Sequence, residues 1–600
     1  MAPRGLRKRR EIRSPEATVQ HLRNHGFKEG DGEWAPGCFA AFKVLVSIRL
    51  ASAVWNGIAD CDETYNYWEP AHFLIYGFGF QTWEYSPEYA LRSYAYVALH
   101  AFPGLCYAWL IQWNPMLVFF FLRCVLGFAC ALCEVYFYSG IKERFGARCG
   151  RMTLGLLLSS AGMFHAATAF LPSSFSMYLT MLAMGAWFNG LYELAVVSVA
   201  ISALLGWPFA AILGIPIAVD VLLRKQLIWR FTKASVISLL VILAPMTNLD
   251  SYMYGKLVIA SWNIIKYNVL GSGSELYGVE PLSFYVLNGF LNMNIAFLAA
   301  LVALPIVTFE RTFQGPKKDT QALPVWLALM GMYLWILIFF SQPHKEERFL
   351  FPIYPLICLA ASMTVESALN LASDLINRHL SDFKTIKVKA VEGIKWFPVA
   401  FLLVSTLLSV SRVAAVYKGY HGALEVYMEM GELARGERAE KNVVDLSAER
   451  NTTLCLGKEW HRFPSSFFLP SRKWRVEFLH SEFRGLLPKH YEAGINATSI
   501  IPTGMNDRNQ EEESRYVDES ACDLIIDYDP SGDDDCGSAR EPCYSRDLST
   551  WIKLHSAPFL DAPKSSKLFR SFYVPYLSDR KCTFGSYDLL GRRINKRRSS

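Results

Sequence analysis

The 600-residue sequence lacks the motifs by which many enzymes bind nucleotides. The glycine-rich stretch GSGSELYG at 271–278 does not fit the G-x-G-x-x-G pattern, and no P-loop pattern occurs. The cysteines of the C-terminal third form no CxxC pair or His/Cys spacing typical of zinc. Internal sequence repeats are also missing. A nucleotide-sugar, ATP or zinc site is therefore unsupported, and we expect neither a metal nor an obligatory cofactor.

Charge is scarce over most of the chain, whereas apolar residues make up 52% of it. Residues 38–415 hold many apolar runs of 17 to 27 residues, and about 20 such residues cross the hydrocarbon of a bilayer as a helix. Residues 416–600 have the composition of a soluble domain. The net charge of +6 lies mostly in short segments between apolar runs, where it sets membrane orientation and does not indicate nucleic-acid binding.

The first 37 residues are basic and predict a cytosolic N-terminus. Six basic residues among the first thirteen are too many for the apolar region of a signal peptide, so the first apolar run is retained as a helix. We predict eleven membrane spans: 38–58, 115–141, 152–170, 173–190, 191–206, 207–223, 233–249, 284–308, 324–341, 347–369 and 396–415. The proline in Trp207-Pro208 separates two of them.

The connecting segments agree with this topology. Segments 142–151, 224–233 and 310–319 are basic and fall on the cytosolic side, as the positive-inside rule requires. The first loop on the other side, 59–114, begins with an acidic part, and we place its residues 94–112 in the membrane interface as an amphipathic segment. An odd number of spans puts residues 416–600 across the membrane from the N-terminus.

The C-terminal domain carries features of an oxidising compartment. Asn451 and Asn496 begin two N-glycosylation sequons. Five cysteines lie in the same domain, so one or two disulfides are expected, with Cys536 and Cys543 as the first choice of pair. We therefore place this domain in the endoplasmic reticulum lumen or outside the cell.

The first candidate site is the stretch DCDETYNYWEP at 60–70, directly after the first apolar run. One interpretation is a solvated acidic loop that only helps to set topology. The alternative is a general base or a group of metal ligands, because neighbouring carboxylates at a membrane boundary raise one another's pKa. The carboxylates are Asp60, Asp62, Glu63 and Glu69, and the aromatic residues among them, Tyr65, Tyr67 and Trp68, are of the kind that packs against sugar rings.

The second candidate site is HKEERF at 344–349, at the start of a predicted span. Five ionisable residues in a row at a membrane boundary are costly unless they are paired or used. Snorkelling of the cations explains part of the pattern. A lipid phosphate would explain more, since Arg348 offers a bidentate partner and Lys345 a point charge. Isolated polar residues within the spans, namely Arg123, Glu134, His165 and Asp220, are interpreted as partners inside the helix bundle.

The two clusters together resemble the signature blocks of the dolichyl-phosphate-mannose-dependent mannosyltransferases, glycosyltransferase family 22 of the GT-C superfold. Blocks of the C-terminal domain, GKEWHRFPSSFFLP (457–470) and SSKLFRSFYVPYLSD (565–579) among them, resemble the lumenal domain of the alpha-1,2-specific branch in asparagine-linked glycosylation. The likeness covers about residues 38–580. It implies an all-α polytopic GT-C bundle with a soluble lumenal α/β domain.

The resemblance also implies an activity in the endoplasmic reticulum membrane. Mannose would pass from dolichyl phosphate mannose to dolichyl-diphosphate-linked oligosaccharides with six and eight mannoses, in alpha-1,2 linkage, with inversion and without metal. In this hypothesis Asp62 is the first choice of base, followed by Glu63 and Asp60. Arg348, Lys345 and His344 would hold the donor phosphate, and acceptor hydroxyls would meet the remaining candidates: Glu69, Trp68, Tyr65, Glu346 and Glu347.

Two other classes of function compete with this hypothesis. A transporter or flippase for lipid-linked sugars would place polar residues through the midplane, preferably in two repeat halves. Here the polar clusters gather at one face and repeats are missing. A non-catalytic scaffold would not explain why both charged clusters lie at the membrane boundary. The enzyme hypothesis requires the two clusters, far apart in the chain, to meet on the lumenal side of the bundle.

Overall fold

The computed structural model describes residues 33–270, 276, 278–314, 323–380, 384–436, 446–494, 496–530, 537–538 and 540–593. Most of the basic N-terminal segment 1–37 and most of the stretch GSGSELYG lie outside the described residues, as does Cys536.

The first two thirds of the chain are helical. Six helices within the described ranges are long and apolar enough to cross a membrane: Cys38–Trp55, Pro115–Phe145, Ile228–Tyr254, Ser283–Gln314, Glu347–His379 and Thr385–Ala434. Tyr192–Gly206 and Val325–Ser341 are shorter apolar helices. The chain thus has the architecture of a multi-pass membrane protein, while the count of eleven spans stays a prediction.

Several predicted spans are interrupted or longer than expected. The helical bounds are Cys38–Trp55, Cys61–Glu63, Glu69–Tyr76, Tyr94–Leu110, Pro115–Phe145, Ala147–Ser159, Ala161–Ala166, Pro172–Phe188, Tyr192–Ile201, Ile215–Val219, Ile228–Ser238, Ala244–Tyr254, Ala260–Ile265, Ser283–Leu301, Ala303–Gln314, Val325–Ser341, Tyr354–His379, Lys384–Ile394, Phe397–Ala434, Lys567–Ser571 and Leu577–Lys581. The chain is extended at Trp207 before Pro208, as predicted. The helix that contains the last predicted span does not end near 415 but continues to Ala434.

The segment 94–112 forms the 17-residue helix Tyr94–Leu110. Its side chains at Phe102 and Trp109 are exposed, whereas Tyr96 and Val97 are buried. This helix is not among the six long enough to cross the bilayer. Its location in the membrane interface stays a prediction.

The C-terminal domain is built on a five-stranded mixed sheet. The strands of the structure are β1 Phe80–Gln81, β2 Thr452–Leu456, β3 Trp474–Phe478, β4 Lys489–His490, β5 Leu524–Asp529, β6 Trp551–Leu560 and β7 Phe584–Arg592. The order in the sheet is β3-β2-β5-β7-β6. Strands β2, β3 and β5 run parallel, and β7 pairs antiparallel with β5 and β6. A second sheet joins β1 of the first loop to β4 of this domain.

Disulfides and glycosylation sites lie in this domain. A disulfide that the sequence did not single out joins Cys455 to Cys522, 67 residues apart. Cys543 is also disulfide-bonded, although its predicted partner lies outside the described residues. Asn451 and Asn496 are both exposed, so each side chain is accessible for modification.

The isolated polar residues Arg123, Glu134, His165 and Asp220 each have a partner inside the helical part, as the sequence predicted. Glu134 forms an ion pair with Arg49, with 2.7 Å between Oε1 and Nη2, and both side chains are fully buried. Arg49 also donates to the carbonyl of Leu157 at 2.6 Å. The bidentate pair joins the helices Cys38–Trp55 and Pro115–Phe145, and the bond to Leu157 adds the next helix. Either partner alone would leave an uncompensated charge in an apolar interior.

Breaking this pair should destabilise the bundle. Arg49→Met leaves Glu134 buried without its cation, so the free energy of unfolding should fall by about 3–5 kcal/mol. The double variant Arg49→Met/Glu134→Met should recover most of that loss. Thermal unfolding in detergent would measure both, and equal stability of the single variant and wild type would contradict the account.

Candidate active site

A cavity of about 950 Å³ lies where the first loop, the segment before the helix Tyr354–His379 and the C-terminal domain meet. Its floor is formed by charged residues of the two sequence clusters. Apolar and aromatic residues of both the helical part and the C-terminal domain line much of the rest of the cavity. Among the predicted residues, those lining it are Asp60, Asp62, Tyr65, Tyr67, His344, Glu346 and Arg348.

Asp60 begins a continuous helical stretch. Its Oδ1 accepts the backbone N–H of Asp62 at 2.9 Å, which caps the helix N-terminus where negative charge is favoured. The helix Cys61–Glu63 widens into one π-turn over Thr64–Trp68 and then continues as Glu69–Tyr76. Such π-turns occur often at functional sites. The cap directs both aspartates toward the cavity.

Arg348 joins the two clusters. Its guanidinium donates from Nη1 to Oδ2 of Asp60 at 2.9 Å and from Nη2 to Oδ2 of Asp62 at 2.6 Å. It also pairs with Glu346, which contacts Nε2 of His344 at 3.0 Å. Residues 286 positions apart thus share one charged centre. The side chain of Arg348 is only 13% exposed, so these contacts are partly shielded from water and strengthened.

The two aspartates differ in protonation. Burial raises the pKa of Asp60 to about 7, although the charge of Arg348 acts in the opposite direction. For Asp62 burial also opposes ionisation, but Arg348 and Arg92 outweigh it and lower the pKa. Asp62 is therefore ionised at neutral pH, while Asp60 titrates there. Oδ1 of Asp62 accepts no hydrogen bond from the part of the chain that the structure describes.

The walls of the cavity suit an amphiphilic ligand. One wall is apolar and comes from the helical part: Trp207, Phe209, Ile212, Ile338, Phe339 and Phe349. A second group of lining residues comes from the C-terminal domain: Trp460, Phe483, Leu486, Leu487, Pro488 and Asn509. The arrangement can hold a long apolar chain on one side and a polar group over the carboxylates.

Several predicted site residues do not line the cavity. Glu63 is buried and accepts from the ring nitrogen of Trp68 and the backbone of Phe170, both at 2.9 Å. Its buried partner Trp68 packs against Phe119, with ring centroids 4.3 Å apart. Both residues hold the loop helix against the bundle, which leaves neither of them positioned to meet a substrate.

Lys345 and Glu347 also point away from the cavity. Lys345 is buried and donates to the carbonyls of Glu280 and Gln342. Glu347 accepts from Asn292 at 2.8 Å. In the motif HKEERF the chain is extended at residue 346 and helical from residue 347. His344, Glu346 and Arg348 line the cavity, whereas Lys345 and Glu347 between them do not, which the linear pattern did not reveal.

Glu69 connects the loop helix to the C-terminal domain. Its carboxylate accepts from Ser465 Oγ at 2.9 Å, from the backbone N–H and hydroxyl of Ser466 at 2.5 and 2.8 Å, and from the N–H of Phe80 at 2.9 Å. The side chain is fully buried. These four bonds occupy a carboxylate that the sequence had suggested for acceptor binding.

Sequence reasoning missed Arg92, which lines the cavity beside Tyr67. It donates twice to Glu84 at 2.9 Å and once to the hydroxyl of Tyr67 at 2.6 Å. The available signal was its position as the single arginine among six carboxylates in 59–93. Other missed residues, including Trp83, Tyr267, Trp460 and Asn509, come from segments whose proximity only folding establishes.

Asp60, Cys61 and Asp62 are close enough to one another to hold a metal ion. However, a guanidinium already bridges the two carboxylates. A cation bound there would meet Arg348, so the donor set fits an arginine better than a divalent metal.

The sequence of this chain matches known proteins over almost its full length. Residues 40–470 match the model of the Alg9-like mannosyltransferase family. The chain is 46% identical to alpha-1,2-mannosyltransferase ALG9 of Mus musculus, covering 98% of this chain and 94% of that protein. It is 47% identical to its Homo sapiens counterpart, covering 94% and 90%.

The chain therefore belongs to the Alg9-like mannosyltransferase family and is an alpha-1,2-mannosyltransferase, which confirms the resemblance. This membership supports mannosyl transfer in N-glycan precursor assembly. Among solved structures, apo ArnT from Cupriavidus metallidurans matches with a TM-score of 0.47 and 11% identity, covering 74% of this chain and 85% of that one. The assignment rests on the sequence relatives.

The contacts of Glu69 predict a structural role for this residue. In Glu69→Gln an amide N–H₂ would face backbone N–H groups, so we expect a loss of about 2–3 kcal/mol in the free energy of unfolding. Limited proteolysis should then cut the C-terminal domain near 457–470 sooner. The exposed Glu88→Gln is the matched control, and wild-type stability of the Glu69 variant would contradict the role.

Proposed function

We propose that this enzyme transfers mannose from dolichyl phosphate mannose to dolichyl-diphosphate-linked oligosaccharides with six and eight mannoses, forming alpha-1,2 bonds on the lumenal side of the endoplasmic reticulum membrane. The observation that carries the proposal is one cavity where an ionised aspartate with an uncommitted oxygen lies beside a partly buried arginine. One group can accept a proton, and the other can hold a phosphate.

The donor phosphate binds at Arg348 and His344. A guanidinium matches phosphate geometry with two parallel hydrogen bonds, and the bond to Glu346 raises the pKa of His344, which favours its protonated form. Because Arg348 is already paired with three carboxylates, phosphate must replace at least one of them. The lipid tail follows the apolar wall that begins at Trp207.

The acceptor enters between the carboxylates and the C-terminal domain. Its 2-hydroxyl gives its proton to Oδ1 of Asp62 while the oxygen attacks C1 of mannose. The bond from C1 to the phosphate oxygen breaks, and dolichyl phosphate leaves with its negative charge held by Arg348. A single in-line displacement inverts the anomeric centre. Asp60 caps the helix with one oxygen and binds Arg348 with the other, which makes it the weaker choice of base.

The proposed orientation places the N-terminus in the cytosol and the C-terminal domain in the lumen. Two exposed sequon asparagines, Asn451 and Asn496, and the disulfide between Cys455 and Cys522 support it. Trp460 and Asn509 of this domain line the same cavity as the carboxylates, so the domain is suited to bind the acceptor glycan.

The proposal is tested with purified enzyme, dolichyl phosphate mannose and defined lipid-linked acceptors. Wild type should form new alpha-1,2 bonds on both acceptors, also in the presence of a metal chelator. Asp62→Asn should lower kcat by about 10²–10⁴ because the base is lost, while the unfolding temperature is retained.

Glu88→Gln serves as the control for the assay, since this side chain is exposed. Near-wild-type turnover of Asp62→Asn would remove Asp62 from the base role. Another product linkage would overturn the substrate assignment, and loss of activity with the chelator would overturn metal independence.

The titration of Asp60 predicts a pH dependence of donor binding. Below pH about 7 Asp60 is protonated, and above it the group adds a negative charge beside Arg348. A donor phosphodiester keeps its charge over this range, so the apparent donor KM should rise about three- to tenfold from pH 6 to 8. Asp60→Asn, which keeps the helix cap, should reduce this rise, and the part that remains comes from deprotonation of His344, whose pKa is raised by its bond to Glu346. An unchanged slope would contradict the assignment.

A further inference from the structure

Residues 564–581, which contain a block that carried the family likeness, do not line the active-site cavity. They form two short helices, Lys567–Ser571 and Leu577–Lys581, joined by a turn. We call residues 564–581 the basic-apolar segment. Its position, charge and exposed side chains together indicate what it contacts.

The basic-apolar segment is attached to the last long helix. The N–H of Tyr573 donates to the carbonyl of Ser411 at 3.0 Å, and the hydroxyl of Ser411 donates to the carbonyl of Tyr573 at 2.9 Å. Lys418 donates to the hydroxyl of Tyr573 at 2.6 Å. The ring of Phe572 lies 6.4 Å from that of Phe290 on another apolar helix.

The attachment point lies at the membrane boundary. The helix Phe397–Ala434 exposes Leu403, Leu407 and Val410, whose spacing places them on one face. Ser411 directly precedes Arg412, the first charged residue after the helix start, so the apolar stretch of this helix ends there. The segment bonded to Ser411 therefore lies near the edge of the hydrocarbon and next to the lipid-facing surface.

The turn presents apolar side chains outward. Val574, Pro575, Tyr576 and Leu577 are consecutive and all exposed, with Tyr576 82% exposed. The N–H of Val574 donates to Ser578 Oγ at 2.9 Å, and the N–H of Tyr576 donates to Asp579 at 3.3 Å. The turn is thus held by bonds between its own backbone and side chains, and it does not need to bury these apolar side chains.

The charge around the turn is mainly positive. The basic-apolar segment contains one acidic residue, Asp579, and five basic residues: Lys564, Lys567, Arg570, Arg580 and Lys581. Tyrosine is enriched at the level of lipid headgroups, and clustered lysine and arginine attract anionic leaflets.

We propose that the basic-apolar segment is a membrane anchor of the C-terminal domain. Its apolar turn inserts at headgroup level, and its basic side chains bind the phosphates of anionic phospholipids in the adjacent leaflet. Because the domain supplies one wall of the cavity, the anchor fixes the height of that wall above the bilayer. The proposal concerns lipid contact and is independent of the mannosyl donor and acceptor.

The test places an environment-sensitive fluorophore on Tyr576→Cys of the full chain in lipid nanodiscs. The parent protein, taken through the same labelling, is the blank for its native cysteines. Quenching by headgroup nitroxide lipids should be about threefold or more stronger than at the control position Leu548→Cys. Leu577→Cys provides a second position in case Tyr576→Cys does not fold.

Leu548 is a matched control because it is also exposed and lies on the far side of the domain. Strand β6 places Phe559 against Tyr420, with ring centroids 5.4 Å apart, and His555 beside Glu425, farther from Ser411 along the helix. Leu548 lies just before Trp551, at the other end of this strand, so about 30 Å separates it from Phe559.

A second arm tests the charge. Replacing phosphatidylcholine with a mixture containing phosphatidylserine should increase quenching at position 576, and the triple variant Lys567→Gln/Arg580→Gln/Lys581→Gln should lose this increase. Equal quenching at 576 and 548 would overturn the anchor. Protection of position 576 without lipid quenching, in particles containing two copies, would identify a dimer contact and overturn it as well. Equal quenching at position 576 with and without phosphatidylserine would overturn the phosphate contacts.

Discussion

The arrangement of the active site depends on one ionic interaction, between Arg348 and the two aspartates of the first loop. The arginine precedes one long helix, and Asp60 caps the helix that follows another. Their bonds of 2.9 and 2.6 Å bring segments from opposite halves of the helical part together at one level. Without a shared cation, two neighbouring carboxylates at a membrane boundary would repel each other and favour protonation.

The same interaction gives the site its chemical asymmetry. One aspartate uses both oxygens, for the helix cap and for Arg348, whereas the other retains an oxygen toward the cavity. In the proposed mechanism the base Asp62 and the phosphate ligand Arg348 bind each other in the free enzyme and would separate when a phosphate enters. Substrate binding thereby exchanges one set of charge-assisted bonds for another, and the charged groups stay compensated throughout.

The first loop and the C-terminal domain act as one structural unit above the bundle. The buried carboxylate of Glu69 accepts hydrogen bonds from Ser465, Ser466 and Phe80, and β1 pairs with β4. The domain is therefore joined to the loop that carries the aspartates, in addition to the continuous helix that ends at Ala434. A wall built this way keeps its position relative to the carboxylates because buried hydrogen bonds are costly to break.

The sequence by itself determined the membrane part, the soluble domain, the break at Trp207-Pro208 and both charged clusters, because hydropathy and proline act locally. It also carried the family likeness. Only the tertiary structure decided which members of each cluster face the cavity: Glu63, Glu69, Lys345 and Glu347 were candidates by type, yet backbone direction turned them toward internal partners. The disulfide between Cys455 and Cys522 and the role of Arg92 likewise depend on contacts between distant segments, which periodicity and charge along one chain do not encode.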